Sequence, residues 1–308
     1  MTATAASVGR ESGTNLPENR SIEDRWSVSR IFKHVVLILA AASIAIPTIW
    51  VIFASFKQKS EFYRNPWALP KGLFLQNYVD AFVDAHMGQY FINSILVTAM
   101  AMILSMAIAL PAAYVLARFE FPGRTLLNLC IQGGLFINVN YIVVPIFLML
   151  VGWDKALVAI FPGGFFINNI FVLAVVYAAT SLPFCIYLLE DYFAAIPKDY
   201  EEAAEIDGAS HFTVMVKIFF PMAAPAISTA LLFNFLSFWN DYIISLTLMT
   251  GKQKTLQVGL LNLMTAQKAA ANYGRLYAGM VIVMVPVLIF YAVIQKKLLE
   301  SNTQGGIK

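Results

Sequence analysis

Several polar side chains, one of them ionisable, lie within a strongly apolar stretch in the second half of the chain. Four residues there are spaced four, three and four positions apart: Asn234, Phe238, Asp241 and Ser245. In a helix this spacing places them on one face. Amide and carboxylate groups beside an aromatic ring can bind hydroxyl groups and stack against an apolar ligand face, a combination that suits a sugar. An ionisable residue in an apolar segment is costly, so Asp241 is the clearest functional candidate.

The same polar residues could instead hold helices together. Asn and Ser side chains form hydrogen bonds between neighbouring spans, and Asp241 could lie close to water at the end of a segment. Five further asparagines fit either interpretation: Asn93, Asn138, Asn140, Asn168 and Asn169. The sequence leaves both interpretations open.

A dense charged run lies between two apolar segments at residues 197–221. Pro197 suits the first position of a helix, and the carboxylates that follow it are favoured near the positive end of the helix dipole. Gly208 can end that helix in a left-handed conformation, and Ser210 can cap a second one. By their spacing, four residues of the first helix share a face: Tyr200, Ala203, Ala204 and Asp207. The two adjacent alanines would let the backbone of another protein come close.

No signature of a catalytic centre is present in the sequence. There is no Gly-x4-Gly-Lys-[Ser/Thr] phosphate loop, and Thr250-Gly251-Lys252 lacks the first glycine. There is no His-Glu-x-x-His motif, and the three histidines are far apart. Cys130 and Cys185 lie in apolar segments without metal-ligand spacing, so we interpret them as packing thiols. We therefore predict a protein that is not an enzyme and has neither a metal site nor a cofactor of its own.

The composition predicts an integral membrane protein. The 308 residues are 59% hydrophobic and 13% charged, whereas a soluble domain has about 25% charged residues. The spans must be helical, because backbone groups in lipid need internal partners. We predict an all-α polytopic membrane protein with six transmembrane helices, at residues 31–53, 91–117, 126–151, 170–189, 222–249 and 277–294. The short apolar patch 156–166, which Pro162-Gly163-Gly164 breaks, is interpreted as a re-entrant or surface piece.

Six spans place both termini on one side of the membrane, and positive charges indicate which side. The Lys and Arg residues closest to the span ends favour cytoplasmic termini: Arg30, Lys33, Arg118, Arg124, Lys296 and Lys297. The 197–221 run then also lies in the cytoplasm. The predicted domains are a polar tail (1–29), a transmembrane domain (30–298) and a C-terminal tail (299–308). A net charge of +3 does not suggest binding to nucleic acid.

The charged run resembles the cytoplasmic coupling loop of ATP-binding-cassette importer permeases. That loop reads Glu-Ala-Ala, three residues, Gly, nine residues, Ile, then Leu-Pro. Here Glu202-Ala203-Ala204, Gly208, Ile218 and Pro221 fall in register, with Phe220 in place of Leu. The alternative is an ordinary amphipathic pair of helices at the membrane surface. The resemblance implies a helix-turn-helix that couples to a separate ATPase through Glu201, Glu202, Ala203, Ala204, Asp207, Gly208, Ala209 and Pro221.

Other motifs resemble the carbohydrate-importing branch of that family and its maltose-type smaller subunit. They are Asn93-Ser94, Leu116-Ala117-Arg118-Phe119 and Trp239-Asn240-Asp241, where the family usually has Glu in place of Asp241. The resemblance implies a substrate pathway that includes Asn93, Asn234, Phe238, Trp239, Asn240 and Asp241. The partners it implies are a second homologous permease subunit, an ATPase dimer that holds ATP and Mg, an extracytoplasmic solute-binding protein and membrane lipid. The expected location is the cytoplasmic membrane of a bacterium or archaeon.

A rival hypothesis is an ion- or proton-coupled secondary transporter that uses Asp241 as its proton site. It requires flux through this chain alone, driven by a gradient. The sequence argues against it, because it has one clear carboxylate inside a span, no internal six-span repeat and an elaborate charged loop.

Overall fold

The computed structural model describes the backbone of residues 28–270 and 272–304 and the side chains of residues 32–266 and 272–295. Most of the predicted N-terminal tail and the last four residues lie outside these ranges. Contacts group the chain into two units, Met1–Ile49 and Trp50–Lys308. In the first unit, the side chains of 32–49 belong to an apolar helix and are mostly exposed.

The described residues fold into helices and include no strand. The helices, in chain order, are α1 (Val28–Ser55), α2 (Lys59–Arg64), α3 (Gln76–Val79), α4 (Met87–Arg118), α5 (Arg124–Gly134), α6 (Val139–Ala156), α7 (Ile170–Ala195), α8 (Asp199–Ile206), α9 (His211–Val214), α10 (Phe220–Met222), α11 (Ala224–Asn240), α12 (Ile243–Leu248), α13 (Leu256–Ala270) and α14 (Tyr273–Gln304). Single π-helical segments, Asp80–Asp84 and Met215–Phe219, follow α3 and α9.

Five helices in the described part of the chain are long and apolar enough to cross a membrane. They are Phe32–Ser55, Met87–Arg118, Val139–Ala156, Ile170–Ala195 and Tyr273–Gln295. A sixth span would be the bent pair His211–Met222 and Ala224–Asn240, whose two parts meet at 75°. The predicted all-α, multi-pass fold is therefore confirmed.

The third predicted segment, 126–151, is wrong in its bounds. The structure divides it into α5 and α6, and only α6 is long and apolar enough to cross a membrane. At the end of α5, a Cβ on Gly134 would lie 2.8 Å from the ring of Pro183 in α7, so glycine permits this close approach. Asn138 then begins α6, because its side chain accepts a hydrogen bond from the backbone N–H of Asn140 at 3.0 Å.

The fifth predicted segment, 222–249, is interrupted. Helix α11 ends at Asn240, and Asp241 has extended backbone angles. Its carboxylate accepts hydrogen bonds from the backbone N–H groups of Ile244 at 3.4 Å and Ser245 at 3.1 Å, and so caps α12. The prediction of one continuous helical face from Asn234 to Ser245 is therefore wrong. Helix α13, which follows α12, is not among the predicted segments.

The connection between α6 and α7 is a loop held at its base by Asp154. Residues 157–169 contain no helix, which agrees with the interpretation of 156–166 as a surface or re-entrant piece and not a seventh span. The Asp154 carboxylate accepts backbone N–H bonds at 2.6, 2.9 and 3.1 Å from Phe165, Phe166 and Ile167. At the end of the loop, the N–H of Asn168 donates to the carbonyl of Leu248 in α12 at 3.0 Å.

Helices α4, α7 and α11 form the centre of the second unit. A buried polar chain joins them: the Asn234 amide nitrogen donates to Ser105 Oγ at 3.0 Å, and the Asn234 carbonyl accepts from Cys185 Sγ at 3.3 Å. Small buried side chains, Ala109 and Ala113, lie in the core between α4 and the neighbouring helices. We call the end of this unit that carries residues 197–221 the loop end.

Candidate functional site

The 197–221 loop has the predicted helix, corner and second helix. Helix α8 runs over Asp199–Ile206 with three carboxylates in its first turn. Gly208 has a φ of +77°, a left-handed conformation that glycine adopts without strain. Ser210 then caps α9, because its Oγ accepts a hydrogen bond from the N–H of Thr213 at 3.3 Å. Local signals in the sequence therefore account for the shape of the loop.

The two faces of α8 are divided differently from the prediction. Ala204 and Ala209 pack against the apolar core of the chain itself, and Glu201 is largely buried. The other five predicted coupling residues are exposed: Glu202, Ala203, Asp207, Gly208 and Pro221. Of the two adjacent alanines, Ala203 is therefore fully available to a partner, whereas Ala204 is partly covered by the core. One turns inward, because successive residues of a helix point about 100° apart.

Exposed apolar side chains on the loop escaped the sequence analysis. Ile206 is 87% exposed and Phe212 is 71% exposed, on either side of the Gly208 corner. Large apolar side chains exposed within a charged segment make this part of the loop a candidate contact surface. The presence of Ile206 and Phe212 within a charged run could have predicted their exposure from the sequence. We call Glu202, Ala203, Ile206, Asp207 and Phe212 the exposed loop surface.

The second half of the loop leads directly into a span. Val214 and Phe219 are buried in the apolar core, whereas Pro221, also predicted to couple, is exposed next to the 75° bend between α10 and α11. The chain therefore runs from the loop into α11 through the three residues of α10 and the bend.

Three side chains near the corner come close enough to hold a metal ion. The ligand atoms of Glu201, Glu205 and His211 lie within 4.8 Å of one another, but Glu205 and His211 are exposed. Glu201 already accepts a hydrogen bond from the Tyr114 hydroxyl at 3.1 Å. His211 Nδ1 lies 3.4 Å from a carboxylate oxygen of Glu205, so the three side chains already contact protein groups.

A cavity of about 340 Å³ lies between α6, α7 and α11. Its lining is Asn138, Val139, Asn140, Tyr177, Thr180, Ser181, Leu236, Ser237, Phe238, Asn240, Asp241 and Ile244. The Asp241 carboxylate accepts a hydrogen bond from the Tyr177 hydroxyl at 2.7 Å. The rings of Tyr177 and Phe238 are stacked, 5.4 Å apart and 4° from parallel. Amides, hydroxyls and an aromatic stack therefore meet in one cavity.

The structure divides the predicted pathway residues between two positions. Phe238, Asn240 and Asp241 line the cavity. The others bind neighbouring helices or loops: the Asn93 amide donates to the Lys254 carbonyl at 3.0 Å, Asn234 belongs to the buried polar chain, and Trp239 Nε1 donates to the Val283 carbonyl at 3.1 Å. Asn93, Asn234 and Trp239 therefore fit the interpretation as contacts between helices, whereas a substrate-binding role for Phe238, Asn240 and Asp241 stays a prediction.

Four polar lining residues were not predicted from the sequence: Tyr177, Thr180, Ser181 and Ser237. Thr180 and Ser181 follow Tyr177 on α7 by three and four residues, a spacing that places all three on one helical face. This spacing could have predicted a polar face on α7. The high average hydropathy of the segment instead made it look like an ordinary membrane span.

Comparisons with known proteins agree with this geometry. The family model described as "Binding-protein-dependent transport system inner membrane component" matches residues 105–301. A diacetylchitobiose uptake system permease protein of Streptomyces coelicolor is 37% identical, over 89% of this chain and 88% of that protein. A trehalose/maltose transport system permease protein of Thermococcus litoralis is 30% identical, over 90% of this chain and 98% of that protein.

A solved structure shows the same fold. It is a bacterial ABC transporter involved in the import of the acidic polysaccharide alginate, and one of its chains superposes with a TM-score of 0.71. The match has 26% sequence identity and covers 88% of this chain and 98% of that chain. With several apolar helices and a family model that matches well over half of its length, this chain is a multi-pass membrane protein that belongs to the family of binding-protein-dependent transport system inner membrane components.

Proposed function

We propose that this protein is the permease subunit of an ATP-binding-cassette importer for a carbohydrate. It forms half of the translocation pathway, and a second, homologous permease subunit forms the other half. The relatives named above are permeases for diacetylchitobiose and for trehalose or maltose. The observation that carries the proposal is the exposed loop surface, which is continuous with a span through the bend before α11.

The motor is a separate ATPase dimer, which supplies ATP and Mg binding because this sequence has no phosphate loop. Two kinds of contact are available on the exposed loop surface. Ile206 and Phe212 offer apolar area, and Glu202 and Asp207 offer carboxylates for basic groups of the ATPase. Closure of the ATPases on ATP then moves the loop and alternates access to the pathway.

The loop lies in the cytoplasm, and so do both termini. This orientation is supported by the Lys and Arg residues that flank the spans on the loop side, including Arg118 and Arg124. The membrane is the cytoplasmic membrane of a bacterium or archaeon. The opposite side receives cargo from an extracytoplasmic solute-binding protein.

The cavity beside Asp241 is our candidate for the part of the pathway that this subunit lines. Its amides and hydroxyls can pair with sugar hydroxyls, and the stacked rings of Tyr177 and Phe238, which are buried but line the cavity, offer an apolar surface. Asp241 contributes as an acceptor that its own neighbours hold in place. A proton site in a secondary transporter is disfavoured, because the carboxylate already caps α12 and accepts from Tyr177.

A charge reversal on the exposed loop surface tests the proposal. In the purified complex reconstituted in lipid, Glu202→Lys should leave the chain in the membrane and lower substrate-stimulated ATP hydrolysis by roughly tenfold or more, since disrupting one partner of an interface charge pair costs about 2–5 kcal/mol. The matched control is Glu120→Lys, an equal change of charge at an exposed residue outside the loop. Full stimulation in Glu202→Lys, or a purified complex that contains no ATPase, would overturn the proposal.

A further inference from the structure

The last residue of α4, Arg118, has a buried side chain. The side chain is 4% exposed although it carries a charge. Burying a charge is costly unless the charge is paired, so the partners of the Arg118 guanidinium must explain why it is buried. Neither the loop motif nor the pathway residues include Arg118.

Arg118 contacts three parts of the loop end that are distant from it in sequence. Its Nη2 donates to the carbonyl of Ile196, between α7 and α8. Its Nε lies 3.8 Å from a carboxylate oxygen of Glu201 in α8. Its guanidinium carbon lies 4.5 Å from the ring centre of Phe219, in the second half of the loop. One side chain of α4 therefore reaches both halves of the loop and its entry point.

Tyr114, one helical turn before Arg118, makes a second attachment. Its hydroxyl donates to the other carboxylate oxygen of Glu201 at 3.1 Å. Its ring contacts the rings of Phe193 and Phe219 edge-on, at 6.3 and 5.1 Å between centres. The side chain of Tyr114 is 2% exposed. We call Tyr114, Arg118 and Glu201 the α4–α8 node.

The node attaches the loop to a helix with which it has no chain continuity. Covalent connections join the loop to α7 on one side and to α11 on the other. Glu201 and Tyr114 are 87 residues apart in the chain. The link between α4 and α8 is therefore made by side-chain contacts and not by the connecting backbone. The neighbouring apolar contacts, through Ala204 and Ala209, resist separation but permit sliding, whereas an ion pair and a directed hydrogen bond also fix register.

We propose that Arg118 and Tyr114 are positioning residues for energy coupling: through Glu201 they fix α8 to α4, so that α4 moves together with the loop. This inference rests on the proposed function and adds a third helix to the two that the chain itself connects. Glu201 then differs in role from its neighbour Glu202, which is exposed and free to bind a partner.

The test measures substrate transported per ATP hydrolysed in the reconstituted complex. Arg118→Gln and Tyr114→Phe should each lower this ratio by roughly threefold to tenfold, which lies within the range of about twofold to thirtyfold for residues that modulate coupling. Hydrolysis itself and the subunit composition should stay near wild type. Arg118→Lys keeps the charge but not the fork of donors, so we expect an intermediate ratio. Arg124→Gln, a half-exposed arginine at the same end, is the matched control with an unchanged ratio.

The outcomes separate this inference from the proposed function. An unchanged ratio in assembled Arg118→Gln and Tyr114→Phe complexes would overturn the inference alone. If Arg118→Gln fails to assemble, Tyr114→Phe decides, because it removes one oxygen and keeps the packed ring. A Tyr114→Phe complex with lower thermal stability and an unchanged ratio would show a merely structural role and would also overturn the inference. Failure of the proposed function would instead appear as loss of the Glu202→Lys effect.

Discussion

Carboxylates do different work in two regions of this protein. At the loop end, Glu201 is held by side chains of α4, 87 residues away in the chain from Tyr114. In the other half, Asp154 and Asp241 accept hydrogen bonds mainly from backbone N–H groups that follow them within 13 residues. The first arrangement fixes one element against another. The second fixes the local path of the chain.

The difference between the two regions separates contacts that determine local chain conformation from contacts that determine whether two helices move together. A local cap determines where a helix begins, and its loss is felt close by. A side-chain contact between distant segments determines whether two helices move together, and its loss can leave both helices intact. We therefore expect substitutions at the loop end to change coupling more than stability, and substitutions at Asp154 or Asp241 to change stability more than coupling.

The largest expected effect is at the corner of the loop. Gly208 has a φ of +77°, and nothing lies within 4 Å of a Cβ placed there, so conformation and not space is what restricts the residue. A left-handed conformation costs an L-residue about 1–2 kcal/mol, and a β-branched residue resists it most. Gly208→Val should therefore reorient α8 relative to α9 and lower uptake by roughly tenfold or more, with the protein still in the membrane.

A matched glycine makes this prediction specific. Gly123, between α4 and α5, has a φ of +92° and equally open surroundings, but it lies outside the loop. Gly123→Val should carry a similar strain without the loss of uptake. Uptake in cells, compared at equal membrane content of the two variants, is the measurement. Normal uptake by Gly208→Val, or equal losses at both positions, would remove the distinction between the two regions.

At Asp241 we expect the opposite result, a larger effect on stability than on coupling. Asp241→Ala removes the cap of α12 and leaves the buried Tyr177 hydroxyl without its acceptor, so it should lower the free energy of unfolding by about 2–3 kcal/mol. Asp241→Asn keeps an acceptor oxygen for both contacts and should retain most stability and uptake. Thermal unfolding of the solubilised complex and uptake assays check these outcomes. Abolished uptake in a stable Asp241→Asn variant would contradict this expectation and would show that the charge of Asp241 is needed for transport itself.

The sequence predicts local features well and distant contacts poorly. Gly208 and Ser210 act on their own neighbours, so the corner of the loop could be predicted. Pro197, predicted at the first position of the helix, instead lies two residues before α8. The face of α8 that turns inward depends on Tyr114 and Arg118, and no local pattern contains that information. For the same reason Ala203 and Ala204 were assigned to one face although the core takes only Ala204.

Span boundaries were predicted less accurately where one or two residues interrupt an apolar run. Averaged hydropathy passes over Gly133-Gly134 and over Asp241, yet these positions end α5 and α11. Phe238, Asn240 and Asp241 were correctly placed near one another, but Tyr177 escaped notice because a single tyrosine in an apolar helix has many ordinary uses. The role of Tyr177 depends on its hydrogen bond to Asp241, which follows α11 and is distant from Tyr177 in the sequence.

The smallest expected effect concerns the loop between α6 and α7. Asp154→Ala removes the acceptor of three backbone N–H groups, but the site is half-buried and water can replace part of the loss, so stability should fall by only about 1 kcal/mol. Asp154→Asn, which keeps the oxygen position shared by two of the bonds, is the conservative control. Thermal unfolding should detect the Ala variant, whereas substrate transported per ATP should stay at the wild-type value. A lower ratio without a lower unfolding temperature would contradict this purely local role and would mean that the loop between α6 and α7 also affects coupling.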